Sequence, residues 1–205
     1  MPPRELDVPT PLPLRGERVK HAREIWDCLQ RLSWKRGNVK SKTFGRTSIT
    51  LGTTRGAPGS IGFDTAGYNS VAVPQCLPKS DREQCARLWA LLQDEALALD
   101  FKVTSAQVNK NFRTCAPHHH RRADKDHQWC LSLGDFAGGE FCWQEGERCF
   151  SVSTRECWQK VDGRHLHWVQ PHEPANADRF SIVLFRNTGD VAEIFYAGVT
   201  ADAAI

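Results

Sequence analysis

The sequence predicts an all-β core with supporting helices, and three observations carry that fold class. Apolar residues recur at helical spacing in two early stretches. After Asp100 the period drops to two. The rest of the chain then breaks into short strand-like runs separated by glycines and polar turns. Helices first and many short antiparallel strands after them is the order of a helix-backed sandwich or barrel.

Residues 1–17, MPPRELDVPTPLPLRGE, carry five prolines and little periodicity. They read as an irregular N-terminal segment, because proline lacks the backbone donor that regular structure uses. A single domain is expected over 18–205. A helix is predicted over 18–34, where Ile25, Cys28, Leu29 and Leu32 mark the buried stripe and Arg23, Glu24 and Arg31 face water. The basic stretch that follows, with Lys35, Arg36, Lys40, Lys42 and Arg46, reads as a solvated loop or as an edge contacting phosphate or substrate. RTSITLG reads as a strand. The segment 52–79, rich in Gly, Ser and Thr, reads as a long loop serving as lid, partner-binding segment or connection.

The second helix is predicted over 81–99. Ser80 is its expected cap, Asp81 and Glu83 suit the first turn, and Cys85, Leu88, Trp89, Leu92 and Ala96 trace its stripe. In FKVTSAQVNKNF, Phe101, Val103, Ser105 and Gln107 alternate with Lys102, Thr104, Ala106 and Val108, giving a strand with one rather polar side. Burying such a side is costly unless it meets a ligand or its own hydrogen bonds. QWCLSLGDF, GEFCWQ, RCFSV, ECWQKVDG, DRFSIVLFRNTG and AEIFYAGV complete the strands.

The chain has 205 residues and a formal charge of +3, which is weak evidence for a nucleic-acid partner. Eight cysteines, at 28, 76, 85, 115, 130, 142, 149 and 157, form no CxxC pair, which argues against a zinc ribbon or a thioredoxin-like centre. No apolar signal segment follows Met1, so reduced thiols in a cytoplasmic or nuclear protein are expected. No apolar run is long enough for a membrane span, and the oligomeric state is not legible. The glycines of GDFAGGEF suit turns or close packing. The stretch lacks the GxxxxGK spacing of a phosphate loop, and the chain lacks a GxSxG nucleophile elbow.

Histidines and carboxylates gather at 118–127, and two further histidines lie at 165 and 167. Two histidines and one carboxylate suffice for an oxygenase iron(II), leaving coordination positions for an organic acid and oxygen. Taken in order, FKVTSAQVNKNFRT, the histidine cluster, CLSLGDFAGGEF, VDGRHLHWVQPH and RFSIVLFRNTG resemble an Fe(II)/2-oxoglutarate-dependent dioxygenase over residues 100–187. In particular the chain resembles the compact branch that contains nucleic-acid-base oxygenases, with uncharacterised algal, fungal and viral members. The resemblance implies a double-stranded β-helix, a distorted jelly roll. It also implies Fe(II), 2-oxoglutarate as cosubstrate, molecular oxygen, and hydroxylation of a C–H bond.

The same resemblance implies particular residues. His167, in DGRHLHWV, takes the place of the distal histidine ligand, with His165 beside it as a substrate-facing or supporting group. Arg179 takes the place of the arginine that pairs with the cosubstrate's far carboxylate, a task suited to its planar fork. Ser181, Asn109 and Asn111 are expected beside the cosubstrate, with Gln107 extending their face. A simple His-x-Asp motif is missing from HHHRRADKD. Aligning LGDF without a gap brings His119 to the histidine position and Arg121 to the carboxylate's. Aligning ADKD puts Asp124 on the metal and Arg122 where the histidine belongs, although arginine has no lone-pair nitrogen. A bulge would let His118 or His120 reach the metal while Asp124 supplies oxygen. Two further alternatives are a centre without a carboxylate and a fold that has lost catalysis.

Trp26 and Trp89 are expected in helix–sheet packing, and Trp129, Trp143, Trp158 and Trp168 either in the core or at a substrate mouth. Arg113, Arg121, Arg122 and Arg164 would form a basic rim for a nucleic acid. The substrate reading is a modified nucleic-acid base. The alternatives are a protein side chain or small metabolite, and a catalytically inactive jelly-roll binding domain.

Overall fold

The computed structural model describes residues 12–14, 16–34, 47–52, 54–55, 68–69, 79–112, 115–118 and 127–186. In chain order these form β1 (Leu12–Pro13), α1 (Glu17–Arg31), β2 (Thr47–Gly52), β3 (Thr54–Arg55), β4 (Tyr68–Asn69) and α2 (Lys79–Ala98). There follow β5 (Ser105–Lys110), β6 (Cys115–His118), β7 (Gln128–Leu133), β8 (Ala137–Gly138), β9 (Phe141–Glu145) and β10 (Arg148–Val152). The last four are β11 (Cys157–Val161), β12 (Leu166–Val169), β13 (His172–Glu173) and β14 (Phe180–Phe185).

A six-stranded sheet has the order β1-β11-β7-β14-β5-β2, and a four-stranded sheet the order β10-β9-β12-β6. All pairings within both are antiparallel. The chain shuttles between them: β5 lies in the large sheet, β6 in the small, β7 in the large, β9 and β10 in the small, β11 in the large, β12 in the small and β14 in the large. This interleaving is the double-stranded β-helix expected from the sequence.

Strand periodicity assigns the two faces of the large sheet. On one face Ile182 pairs with Val108 and Leu131, and Leu184 with Ala106 and Trp129. All are buried in one core with Ile25, Leu29, Leu88 and Leu92 of the helices. Each buried Leu or Ile contributes about 1.5–3 kcal/mol, so this seam is the main force holding the helices to the sheet. Trp26 meets Phe180 edge-on, with ring centroids 5.3 Å apart. On the other face Ser181 pairs with Asn109 and Ser132, and Val183 with Gln107 and Cys130. That face looks toward the small sheet.

Both predicted helical stripes are buried. Ser80 lies inside α2 rather than capping it, because the helix begins at Lys79. Asp81 is buried and bonds the Ser33 hydroxyl and backbone, tying the end of α1 to the start of α2. The expected irregular N-terminal segment contains an edge strand, with Leu12 paired to Trp158 and Pro13 to Cys157. Proline is tolerated there because an edge strand has neighbours on one side only. The expected loop 52–79 contains the short β3–β4 ladder. The basic stretch 35–46 and the strand over AEIFYAGV lie outside the described residues. Among the described residues no helix is long and apolar enough to cross a membrane.

Candidate metal and carboxylate site

Between the sheets lies a cavity of about 390 Å³. Gln107, Asn109, Ser132 and Ser181 line it from the large sheet, and His118 and His167 from the small one. The polar side of β5, costly in isolation, is therefore turned toward a cavity.

The histidines come together through strand register. His118 on β6 is the cross-strand partner of His167 on β12, so both side chains leave the sheet on one face. Their ring centroids are 4.3 Å apart. Each ring is oriented by a backbone carbonyl two residues upstream: Nδ1 of His118 lies 2.9 Å from Ala116 O, and Nδ1 of His167 lies 2.9 Å from His165 O. A carbonyl only accepts, so Nδ1 carries a proton in both rings, and in the neutral ring the lone pair lies on Nε2. This is the tautomer a metal ligand needs. Phe141 stacks on His167 at 5.3 Å. His165 sits outside β12, and its ring lies 3.7 Å from Glu145.

Arg179 immediately precedes β14 and is 2% exposed. Its Nη1 donates to Phe112 O at 2.7 Å, and its Nη2 donates to Ser132 Oγ at 3.2 Å and Gly139 O at 3.1 Å. Thr154, which also lines the cavity, bonds Ser132, Oγ1 to Oγ at 2.9 Å. The guanidinium lies over the Phe136 ring at 5.1 Å. Nε is buried with no hydrogen-bond partner, and no carboxylate among the described residues pairs with the cation. Burial pushes its pKa down to about 10, which leaves it charged at neutral pH.

Two glycines of the GDFAGGEF stretch open room at the arginine. At Gly134 (φ +140) an added Cβ would come 2.2 Å from Asp178 O, just before Arg179. At Gly139 (φ +74) it would lie 3.2 Å from Arg179 Nε. A side chain is excluded at Gly134 and strained at Gly139.

Asn109 Nδ2 donates to Ser181 Oγ at 3.2 Å, and Gln107 Nε2 donates to Asn109 Oδ1 at 3.0 Å. Asn111 does not join them and does not line the cavity, which corrects the expectation of a shared face. The strand ends at Lys110 and Asn111 turns at φ 53, so period two stops there. Its side chain instead accepts the Arg179 backbone N–H at 3.1 Å, and its own N–H donates to Arg179 O at 2.7 Å. It holds the arginine's backbone.

His120 and Asp124, with His119, Arg113, Arg121 and Arg122, lie outside the described residues. Among the described residues no group of three metal-ligating side chains is present. Arg164 of the expected basic rim is engaged with Asp162, Nε to Oδ1 at 2.9 Å, and this pairing holds the Asp162 carboxyl below its ordinary pKa. None of the tryptophans considered for the substrate mouth lines the cavity. Trp129 and Trp158 are buried in the core that includes the helices, while Trp143 stacks on Phe150 at 5.2 Å. Ser132, Thr154 and Phe136 were not singled out in the sequence. A serine between buried Leu131 and Leu133 was a period-two signal for the first, but nothing local marks the other two.

No family model and no curated protein matches the chain. Solved structures do match. A 2OG-Fe(II) oxygenase family oxidoreductase from Burkholderia pseudomallei is similar at a TM-score of 0.56 and 15% identity, covering 82% of this chain and 80% of that one. A prolyl-4-hydroxylase from Pseudomonas putida has a TM-score of 0.46 and 14% identity, covering 87% and 91%. A prolyl hydroxylase from Trichoplax adhaerens, in complex with a hypoxia inducible factor peptide fragment, has a TM-score of 0.44 and 9% identity, covering 82% and 77%. The first of these shows the fold: this chain is a double-stranded β-helix of the kind found in 2OG-Fe(II) oxygenases. None of the three is described as acting on a nucleic-acid base.

Proposed function

We propose that this chain binds a 2-oxoglutarate-type dicarboxylate through Arg179 and a divalent metal through His118 and His167, as an oxygenase that hydroxylates a C–H bond of a protein side chain or small molecule. The observation that carries this reading is a buried guanidinium without an anionic partner among the described residues, with Nε unsatisfied, lining the same cavity as two histidines whose Nδ1 atoms face backbone carbonyls.

The residues fit the implied groups. A carboxylate is the natural partner of an unneutralised buried guanidinium. Ser181, lining the same wall, offers a hydroxyl beside it. Two imidazoles are two of the three protein ligands of an oxygenase iron, with His120 the alternative to His118 as the first, and Asp124 would supply the carboxylate. Iron(II) held there would supply the oxidising chemistry that consumes molecular oxygen and the 2-oxo acid as the substrate is hydroxylated. The protein's part is to orient the diacid by its far end and to keep both imidazoles in the ligating tautomer.

A second reading, a catalytically inactive binding domain, is favoured by the absence of a three-ligand group among the described residues. Anaerobic titration with Fe(II) and 2-oxoglutarate, followed by admission of oxygen and assay of succinate, separates the two. The oxygenase predicts a new visible absorption band and succinate formation, both lost in His167→Ala. Binding of 2-oxoglutarate without succinate assigns the inactive domain. No binding of the diacid overturns the oxygenase.

A further inference from the structure

We propose that Gln107 is a positioning residue that, acting through Asn109, fixes Ser181 as a hydrogen-bond donor toward the carboxylate held at Arg179. The inference rests on the reading of the cavity as a diacid site, and adds a residue remote from the carboxylate end.

Three side chains form one chain of bonds across adjacent strands. Gln107 Nε2 donates to Asn109 Oδ1 at 3.0 Å, and Asn109 Nδ2 donates to Ser181 Oγ at 3.2 Å. Asn109 is 3% exposed, so each bond replaces one it would otherwise make to water. Ser181 pairs across the strands with Ser132, the hydroxyl that receives Arg179 Nη2. Ser181 therefore stands beside the guanidinium end of the cavity.

The polarity of such a chain matters more than its existence. Amides and hydroxyls both donate and accept, so two directions satisfy the same three groups. In the direction present here, Ser181 has accepted from Asn109, and its own proton is left to donate into the cavity. In the reverse direction Ser181 spends that proton on Asn109 Oδ1 and shows a carboxylate only lone pairs. The donating direction turns Asn109 Oδ1 away from Ser181, and that buried oxygen then needs a donor of its own. Gln107 supplies it. A group at 107 that only accepts would drive the chain into the reverse direction.

The experiment is a double-mutant cycle read by calorimetric binding of 2-oxoglutarate in the presence of Mn(II), with thermal unfolding of each variant as the check on folding. Gln107→Glu places an acceptor at 107 and should weaken the diacid about tenfold. Gln107→Met removes the donor without reversing the chain and should weaken it severalfold. In a Ser181→Ala background both losses should shrink, because no hydroxyl remains to be oriented. Any residual loss for Gln107→Glu there measures the added negative charge alone. Losses of equal size in both backgrounds would overturn the relay while leaving the diacid site intact. A wild-type protein that does not bind 2-oxoglutarate would overturn the site and the relay together.

Discussion

A guanidinium taken out of water costs several kcal/mol unless hydrogen bonds and an opposite charge repay it. Arg179 has the hydrogen bonds, to Phe112 O, Ser132 Oγ and Gly139 O, but its charge stays unneutralised by the described residues. Among the described residues the cation is only part-compensated, and in the proposed function a ligand carboxylate would complete it. Arg179→Lys keeps the charge but loses the planar fork and its several fixed donors. It should weaken 2-oxoglutarate binding by about 100-fold, on the order of 2–3 kcal/mol, measured by calorimetry. Gly139→Ala tests the same atoms sterically. Its Cβ would sit 3.2 Å from Nε and 3.3 Å from His172 Cβ, at a φ of +74. The variant should be destabilised by about 1–2 kcal/mol in urea unfolding and should bind the diacid more weakly.

The helical layer is fixed by one buried carboxylate as well as by its apolar seam. Glu95 on α2 accepts Trp158 Nε1 at 2.7 Å and His21 Nδ1 at 3.0 Å, joining α2, the large sheet and α1. Glu95→Ala leaves the indole N–H of a fully buried tryptophan without its acceptor and should cost about 2–4 kcal/mol. Glu95→Gln, which keeps an acceptor, should cost less; urea unfolding distinguishes them. The same interface carries Cys28 and Cys85, both buried, and burial pushes the Cys85 thiol up to about 12 from an ordinary 9.0. The folded state thus keeps a proton that the unfolded chain releases above about pH 9. This contribution to stability is complete below pH 9 and is lost as the pH rises toward 12. Between pH 8 and 10.5 the wild-type Tm should fall by at least about 2 °C more than that of Cys85→Ala.

At the scale of the whole molecule, what could be read from the sequence follows how local the signal is. The stripes of α1 and α2 repeat within one helix, and both were legible. The polar side of β5 alternates within one strand, and it too was legible as far as Lys110. Beyond that residue the alternation predicted a shared face for Asn111, and a positive φ removed it. The strand β6 was hidden because CAPH is four residues long and contains a proline, and only pairing with β12 gives His118 its direction. Thr154 was hidden too, since it reaches Arg179 through Ser132, 22 residues away in the chain. His167 and Arg179 came from resemblance rather than periodicity, and the cavity brings them to one wall and one end. A diacid and metal that bind only the folded state should stabilise it: at 100 times Kd the gain is about 2.7 kcal/mol, a rise of roughly 5–10 °C in Tm.

The most direct measurement is calorimetric titration of 2-oxoglutarate into the Mn(II)-loaded protein, repeated with Arg179→Lys and with pyruvate, which has no second carboxylate to reach the arginine. Saturable binding of the diacid, about 100-fold weaker in Arg179→Lys, with pyruvate binding equally in both proteins, is the predicted result. Equal affinity for 2-oxoglutarate in wild type and variant would contradict it, because the buried guanidinium would then not be the carboxylate's partner.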